Sequence, residues 1–497
     1  MASKLTNFIP NGKKEYSSSL LDFPAVITLR LSKILTKQIS AFHLSMVNAF
    51  FSQNILIFLF ILFSPIAPVS GIEITEFGSS NFNTGVISQR NFSIGILYPS
   101  NLLLLMLFIS ILITLAKHKK KLKIYSHEML LAGFLIVSQL SVLWSINLSS
   151  SFVWFLKLIL DLMVYFVFSR VKLEKESFKL ILLAFFLNTM YEVLLSFLQF
   201  INGGLIGIPI LESISRIDIE RIYYYAFGSS VFRVVGTLSH PNMLSGYLTL
   251  LIPFLFAFIV MKPYKLNLIY PIIIPLVAAT ILMSFSRWGI ITFLFSITIS
   301  TVLFRRINNK LFARIGKELK FAFFFSIVTV LLFALNPFIF NRFFYFESND
   351  ASLATRVNLL NQASFVLQQN PLGIGGGASA AYLANFDVTS SQISNRYLPT
   401  VHEFYFLMAT EVGIIGLILF LFFIISIIRG FYHNFKTLNF EQKIIGLAIV
   451  TSILVFLING LWEPRPLGDR IGLFLFLIMG LLVNITHQKK LPVSETS

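Results

Sequence analysis

The chain has 497 residues, of which 56% are hydrophobic and only 12% are charged, and its mean hydropathy is +0.81. Soluble domains carry about 25% charged residues, so this composition excludes a soluble globular protein and indicates a polytopic membrane protein. The formal net charge is +17 and cysteine is absent, which excludes disulfides, thiolate metal sites and cysteine nucleophiles.

Twelve apolar runs are long enough to cross a bilayer core about 30 Å thick, which takes roughly 20 helical residues. They lie at 47–69, 96–116, 128–148, 151–169, 179–201, 242–261, 266–284, 287–304, 321–340, 404–428, 441–461 and 467–486. The sequence therefore predicts an all-α membrane protein with about twelve transmembrane helices. The count depends on tight turns at Lys262–Lys265 and Ser284–Arg287. We expect the first span to stay uncleaved, with removal as a signal peptide as the alternative.

The distribution of basic residues orients these spans. Most lysines and arginines fall in the two tails and in alternate loops, which the positive-inside rule assigns to the cytoplasm. The predicted segments are a cytoplasmic tail at 1–46, five spans at 47–201, an outer loop at 202–241, four spans at 242–340, a large outer loop at 341–403, three spans at 404–486 and a cytoplasmic tail at 487–497. The positive charge thus faces anionic cytoplasmic lipid, and nucleic acid is not expected as a partner.

The outer segments contain arginine but no lysine. The ten arginines are Arg90, Arg216, Arg221, Arg233, Arg287, Arg342, Arg356, Arg396, Arg465 and Arg470. The planar guanidinium of arginine forms bidentate hydrogen bonds with phosphate and carboxylate groups. This bias predicts an anion-binding site on the outer side.

The large outer loop contains a predicted amphipathic helix with Asp350 as its N-cap and Asn370-Pro371 at its end. Apolar residues recur at helical spacing at Leu353, Val357, Leu360 and Leu367. Such a helix would lie on the outer leaflet or over the bundle, with Arg356 at the water boundary. The following segment 373–377 is predicted to be a flexible turn. It lacks the lysine and spacing of a P-loop, so a phosphate cradle formed by the turn alone is the less favoured alternative.

Two histidines, His240 and His402, lie in the outer segments, each just before a predicted span. A histidine there can accept a proton near neutral pH, although a helix-end histidine that binds interfacial water is the alternative. The run Tyr223–Tyr225 could stack on sugar rings or belong to an interfacial aromatic belt. Glu192, within the fifth predicted span, is a candidate for a proton or ion path.

Several of these segments resemble the O-antigen ligase and polymerase superfamily, the bacterial transferases of polyisoprenoid-linked glycans. The resembling segments are Arg233–Asn242, Ser286–Gly289, Ala354–Arg356, Asn370–Gly375, and His402 followed by Glu411–Gly416. Together they cover roughly residues 230–430, and their order and spacing carry the match.

The resemblance implies a GT-C-like architecture and a metal-free, cofactor-free glycosyltransferase at the outer face of the bacterial inner membrane. The donor would be an undecaprenyl-pyrophosphate-linked glycan, and the acceptor a glycan, a lipid core or a protein, with membrane lipids around the site. Arg233, Arg287 and Arg356 would bind the pyrophosphate, and His402 would be the general base for inverting transfer.

The resemblance leaves three residues as additional candidates: His240, Asn242 and Glu403. Glu403 departs from the family pattern, which predicts asparagine after the histidine. The acceptor class, and thus ligase, polymerase or protein O-glycosyltransferase activity, stays open. A transporter, or transporter subunit, for a small anion of the inorganic-carbon type is the alternative function.

Overall fold

The computed structural model describes most of the helical bundle. The described residues are 52–64, 70–74, 92–97, 99–117, 124–208, 222–226, 229–262, 269–305, 324–329, 335–344, 351–379, 401–463 and 470–487, with single residues 321, 331 and 382. The N-terminal tail, the Asp350 cap and Arg90, Arg216, Arg221, Arg396 and Arg465 lie outside this part of the chain, so predictions on them stay untested.

The described chain is built almost entirely of α-helices. In chain order they are α1 (Gln53–Phe63), α2 (Pro99–Lys117), α3 (Glu128–Leu143), α4 (Leu148–Arg170), α5 (Lys175–Asn202), α6 (Pro241–Met261), α7 (Ile269–Met283), α8 (Arg287–Arg305), α9 (Pro337–Phe344), α10 (Ala351–Gln369), α11 (Phe404–Asn434), α12 (Phe440–Asn459) and α13 (Arg470–His487). The all-helical character of the prediction is confirmed.

Seven of these helices are long and apolar enough to cross a membrane, namely α4, α5, α6, α8, α11, α12 and α13. Four shorter apolar helices, α1, α2, α3 and α7, fall within predicted spans. The predicted span 321–340 is described only in part, at 321, 324–329, 331 and 335–340. A membrane protein is therefore established, whereas the count of twelve stays a prediction.

The core of the bundle is formed by α6 and α13, whose most apolar windows are 94% and 83% buried. α6 packs against α5, α7, α8 and α12, while α13 packs against α4, α11 and α12. Aromatic rings pack between these helices. Phe185 of α5 stacks on Phe254 of α6 with ring centroids 4.1 Å apart, and Phe474 of α13 packs edge to face on Tyr247 of α6. α6 is thus a buried central helix, and its N-terminal residues are held rigidly.

Two short antiparallel hairpins interrupt the helical architecture, and the sequence did not predict them. β1 (Ser70–Ile74) pairs with β2 (Phe92–Leu97), and β3 (Tyr223–Ala226) pairs with β4 (Ser229–Phe232). Tyrosine, phenylalanine and valine favour extended backbone, and the run Tyr223–Tyr225 forms β3 for that reason. The second hairpin leads directly into Arg233.

The predicted turn between α7 and α8 is present, because α7 ends at Met283 and α8 begins at Arg287. Phe285 lies in the left-handed region with φ of 54°, which an L-residue with a bulky side chain adopts only where the surroundings enforce it. Ser286 stabilises the start of α8 by accepting the Gly289 N–H at 3.1 Å.

The helix α10 is present where predicted, but its buried face differs from the predicted stripe. Leu359, Ala363 and Val366 are buried, whereas Val357 is 51% exposed. The sequence periodicity alone could not choose between neighbouring stripes on a helix that has apolar side chains on more than one side. Contacts with α11 and the segment that follows α10 decide which stripe is buried.

Candidate functional site

The segment between β4 and α6 is held against α5 by two buried polar side chains. Gln199 accepts the N–H groups of Val235 at 3.1 Å and Gly236 at 2.9 Å. Glu192 accepts the N–H of Thr237 at 3.0 Å and also its hydroxyl. Glu192, which the sequence suggested for an ion path, therefore anchors this segment.

Arg233 and Arg356 belong to one hydrogen-bonded network. Arg233 Nη2 donates to Asn242 Oδ1 at 2.9 Å, and Asn242 Nδ2 donates to Glu463 Oε1 at 3.0 Å. Arg356 Nη2 forms an ion pair with the same Glu463 oxygen at 3.2 Å. Two predicted site arginines and the candidate Asn242 are thus brought together through one carboxylate.

A tryptophan stack supports Arg356. Its Nη1 donates to the Trp462 carbonyl at 3.0 Å, and its guanidinium lies over the Trp462 ring, 5.4 Å from the centroid. Trp462 stacks in turn on Trp288 with centroids 5.5 Å apart. Cation–π contact and a carbonyl acceptor fix the guanidinium without neutralising it.

Arg287 and Arg342 complete an arginine cluster, which we define as Arg233, Arg287, Arg342 and Arg356. Arg287 Nε donates to the Arg342 carbonyl at 2.6 Å. Arg342 lies over the ring of Tyr224, 5.2 Å from its centroid. The middle residue of the tyrosine run thus supports an arginine of this cluster.

The cations of the cluster act on one another electrostatically. Burial, together with the nearby charges of Arg342 and Arg356, lowers the pKa of Arg233 to about 9, while the charge of Glu463 opposes the change. Arg233 stays cationic at neutral pH. Crowded guanidinium groups of this kind favour an anion that can bind several of them at once.

The candidate His240 caps α6. Its Nδ1 accepts the Asn242 N–H at 3.2 Å, which gives the histidine a structural role that requires an unprotonated Nδ1. Its ring also fixes the start of the helix that carries Asn242. His240 is therefore a helix-capping residue, while its catalytic role and its contact with interfacial water stay predictions.

His402 and Glu403 immediately precede α11. The chain here is fixed by the buried Val401 and by the Phe404 N–H, which donates to the Gly460 carbonyl at 2.8 Å. Burial raises the pKa of Glu403, a hydrogen bond from its own backbone N–H to the carboxylate and the charge of Arg356 lower it, and the charge of Glu463 raises it. Glu403 is therefore within electrostatic range of the arginine cluster, and His402 is its neighbour in the chain.

The glycine-rich segment 373–377 forms the predicted turn, but it is packed tightly. Gly376 lies against the indole of Trp154, where a Cβ would overlap the ring. Two N–H groups of the segment donate to the carbonyls of Thr410 and Glu411 at 2.9 and 3.0 Å. These glycines permit close approach to α4 and α11, so the flexible-turn prediction is corrected and the phosphate-cradle alternative is disfavoured.

Three residues of this region escaped the sequence analysis as site residues: Arg342, Trp462 and Glu463. Arg342 was one of ten outer arginines with no motif around it, and Glu463 was one outer acid among many. A polar Trp462-Glu463 pair directly after an apolar helix was the available signal. Nothing in the sequence linked it to Asn242.

The fold and site define a helical membrane protein with a partly buried arginine cluster, carried by the segment before α6 and by α8, α9 and α10, beside Glu463 after the end of α12. Residues 272–421 match the family model described as O-antigen ligase. The match covers less than half of the chain, and over these residues it confirms the resemblance noted in the sequence. No curated protein matches the chain.

The matched region begins in α7 and ends in α11. It includes three members of the arginine cluster together with His402 and Glu403, while Arg233, Asn242 and Glu463 lie outside it. The family match supports membrane glycan transfer as the class of activity.

Proposed function

We propose that the protein is a membrane glycosyltransferase that transfers or polymerises a glycan from an undecaprenyl-pyrophosphate-linked donor onto an acceptor hydroxyl. The proposal includes inversion at the anomeric carbon and no metal ion. The observation that carries it is the network from Arg233 through Asn242 and Glu463 to Arg356. This network holds arginines in an arrangement suited to binding an anion, and the O-antigen ligase match includes Arg356.

In this proposal the arginine cluster binds the pyrophosphate of the donor. The acceptor oxygen attacks the anomeric carbon, the bond from that carbon to the phosphate oxygen breaks, and its electron pair leaves with undecaprenyl pyrophosphate. The preorganised guanidinium groups stabilise the negative charge that develops on the departing phosphate oxygen, and they need little reorganisation to do so. They take the role that Mg²⁺ has in other transferases.

His402 is the proposed general base of the reaction. It takes the proton from the acceptor hydroxyl as the new glycosidic bond forms. His402 precedes α11, close in the chain to Glu403, which senses the charge of Arg356. Inversion requires the acceptor to reach the anomeric carbon from the face opposite the pyrophosphate, so in this proposal the acceptor binds near the start of α11.

Glu463 supports the arginines in the absence of donor. Its side chain is 9% exposed and that of Arg356 is 12% exposed, so both charges would be costly if unpaired. Within the described residues, the carboxylates of Glu463 and the nearby Glu403 stand against four guanidinium groups, which leaves the cluster positive. The cluster is thereby preorganised yet still able to bind a pyrophosphate.

Membrane topology enters the proposal through the positive-inside rule. Twelve spans with both termini in the cytoplasm would place the arginine cluster and His402 at the outer face of the bacterial inner membrane. The segment boundaries given above follow from the same assignment. Anion transport is not proposed, because Glu192 is committed to hydrogen bonds with Thr237.

The proposal is tested in cells that make the glycan. Replacing His402 or Arg356 with Ala should abolish glycan transfer and cause the lipid-linked glycan to accumulate, while the protein still inserts into the membrane. Because Arg356→Ala leaves Glu463 without its counter-charge, transfer is normalised to the amount of inserted protein. Glu176→Gln is the matched control, because Glu176 forms an exposed ion pair with Lys179. Normal amounts of glycan product from both variants would contradict the proposed glycosyltransferase function.

A further inference from the structure

Glu403 carries a carboxylate that the proposed chemistry above does not use. It occupies the N-cap position of α11, yet its side chain makes no capping hydrogen bond. Its Oε2 atom is buried and accepts no hydrogen bond from the described residues. A buried acceptor without a partner costs about 1–3 kcal/mol, so a stable fold retains it where another molecule supplies the donor.

Arg356, the cation whose charge acts on Glu403, donates its hydrogen bonds to other groups. Arg356 lowers the pKa of Glu403, but its two terminal nitrogens bind Glu463 Oε1 at 3.2 Å and the Trp462 carbonyl at 3.0 Å. Within the described residues no ion pair joins Glu403 to a cation. Its carboxylate is thus held near the arginine cluster without being neutralised by it.

The charges around Glu403 select what can bind there. A phosphate is repelled by this carboxylate and attracted by the arginine cluster, whereas a cation is repelled by the same arginines. A neutral hydroxyl can donate a hydrogen bond to the free oxygen at no such cost. The position at Glu403 therefore favours a neutral group that carries a hydroxyl, whereas the position at the arginine cluster favours an anion.

We propose that Glu403 is an acceptor-binding residue whose unpartnered carboxylate oxygen accepts a hydrogen bond from a hydroxyl of a neutral acceptor sugar. This inference rests on the proposed glycosyltransferase function. Glu403 directly follows His402 in the chain and is reached by the charge of Arg356, so an acceptor bound at Glu403 lies near the arginine cluster that holds the donor. A residue of this kind makes the acceptor a neutral glycan and disfavours one that is acidic at the attacked sugar.

The test separates donor chemistry from acceptor binding. Purified protein in nanodiscs receives isotope-labelled undecaprenyl-pyrophosphate-linked glycan from the producing cells. The acceptor probe is membrane from a strain that lacks the protein, titrated into the reaction. Release of undecaprenyl pyrophosphate without acceptor measures donor hydrolysis, and labelled product measures transfer.

Glu403→Gln should raise the acceptor KM about tenfold or more, the size expected from losing a hydrogen bond to a charged group, while donor hydrolysis stays within about twofold of wild type. Glu403→Asp should restore part of the acceptor affinity, and Glu176→Gln should change neither rate. In the wild type the acceptor KM should rise as falling pH protonates Glu403, on which the charges of Arg356 and Glu463 act and which has the titratable His402 as its chain neighbour. Glu403→Gln should lose that dependence.

An unchanged acceptor KM in Glu403→Gln would overturn the inference, as would a parallel loss of donor hydrolysis and transfer, which indicates a structural role. A wild-type protein that neither hydrolyses the donor nor transfers glycan would overturn the proposed function and this inference with it. Donor hydrolysis by the wild type together with an unchanged acceptor KM in the variant would overturn the inference alone.

Discussion

Glu463 connects two elements through a single oxygen, because Oε1 accepts from both Asn242 Nδ2 and Arg356 Nη2. The carboxylate thereby fixes one arginine directly and Arg233 through the Asn242 amide. Removal of one partner from a buried ion pair is strongly destabilising, since it leaves an uncompensated charge. The arrangement of the arginine cluster thus depends on this acid.

Glu463→Gln should lower the free energy of unfolding by about 3 kcal/mol, because it leaves Arg356 buried without its counter-charge. Adding Arg356→Met should recover part of this loss, since no buried charge then remains. Thermal unfolding in detergent of Glu463→Gln, Arg356→Met and the double variant measures these losses. Removing the exposed Glu176–Lys179 pair should cost less than about 1 kcal/mol. A double variant that loses the full sum of the two single losses would contradict the pairing.

The sequence predicted Arg233, Arg356 and Asn242 as candidates, and the structure brings these three into one network. It could not predict Glu463 or Arg342 as members of the site. Asn242 and Glu463 are 221 positions apart, and a contact over that separation has no local pattern. Short motifs at helix ends can be recognised in a single sequence. The residues that contact those motifs from distant parts of the chain are determined by how the helices pack.

At the scale of elements, tight helix packing around the glycine-rich segment positions α10 against α11. Gly413 within α11 has φ of 81°, which interrupts the helix where the segment 373–377 docks. The sequence predicted the turn and both helices. The exposed Val357 and the hairpin β3–β4 departed from prediction, because tertiary contacts override periodicity and a tyrosine run favours a strand.

Gly376→Ala should lower the free energy of unfolding by about 1–3 kcal/mol, because the added methyl group overlaps the Trp154 indole. Gly430→Ala is the matched control: no atom lies within 4 Å of its Cβ position. Alanine there should stabilise α11 by about 0.5–1 kcal/mol. Thermal unfolding of the two purified variants measures this contrast, and equal midpoints would refute the packing role of Gly376.

At the scale of the whole molecule, the asymmetric distribution of charge predicts which end of the bundle faces the cytoplasm. The sequence carries this information directly, since the positive-inside rule depends on composition alone. The number of spans is harder to read, because short apolar helices such as α1 and α7 fit either a tilted span or a buried segment. The orientation is therefore a stronger prediction than the count.

The absence of cysteine allows a clean test of orientation. Ser391→Cys, in the predicted outer loop, should react with a membrane-impermeant maleimide added to intact spheroplasts. Ser494→Cys, in the predicted cytoplasmic tail, should react only after the membrane is permeabilised. Labelling of Ser494→Cys in intact spheroplasts, or protection of Ser391→Cys, would invert or break the proposed topology.

The central claim is that the arginine cluster binds a lipid-linked pyrophosphate while His402 activates the acceptor. Its most direct measurement is labelled glycan transfer by purified protein in nanodiscs, with excess chelator present and with His402→Ala and Arg356→Ala compared in parallel. We expect wild-type transfer to persist in chelator, His402→Ala to bind donor without transferring it, and Arg356→Ala to lose donor affinity. Transfer by both variants at the wild-type rate, or none by the wild type under any condition, would contradict the claim.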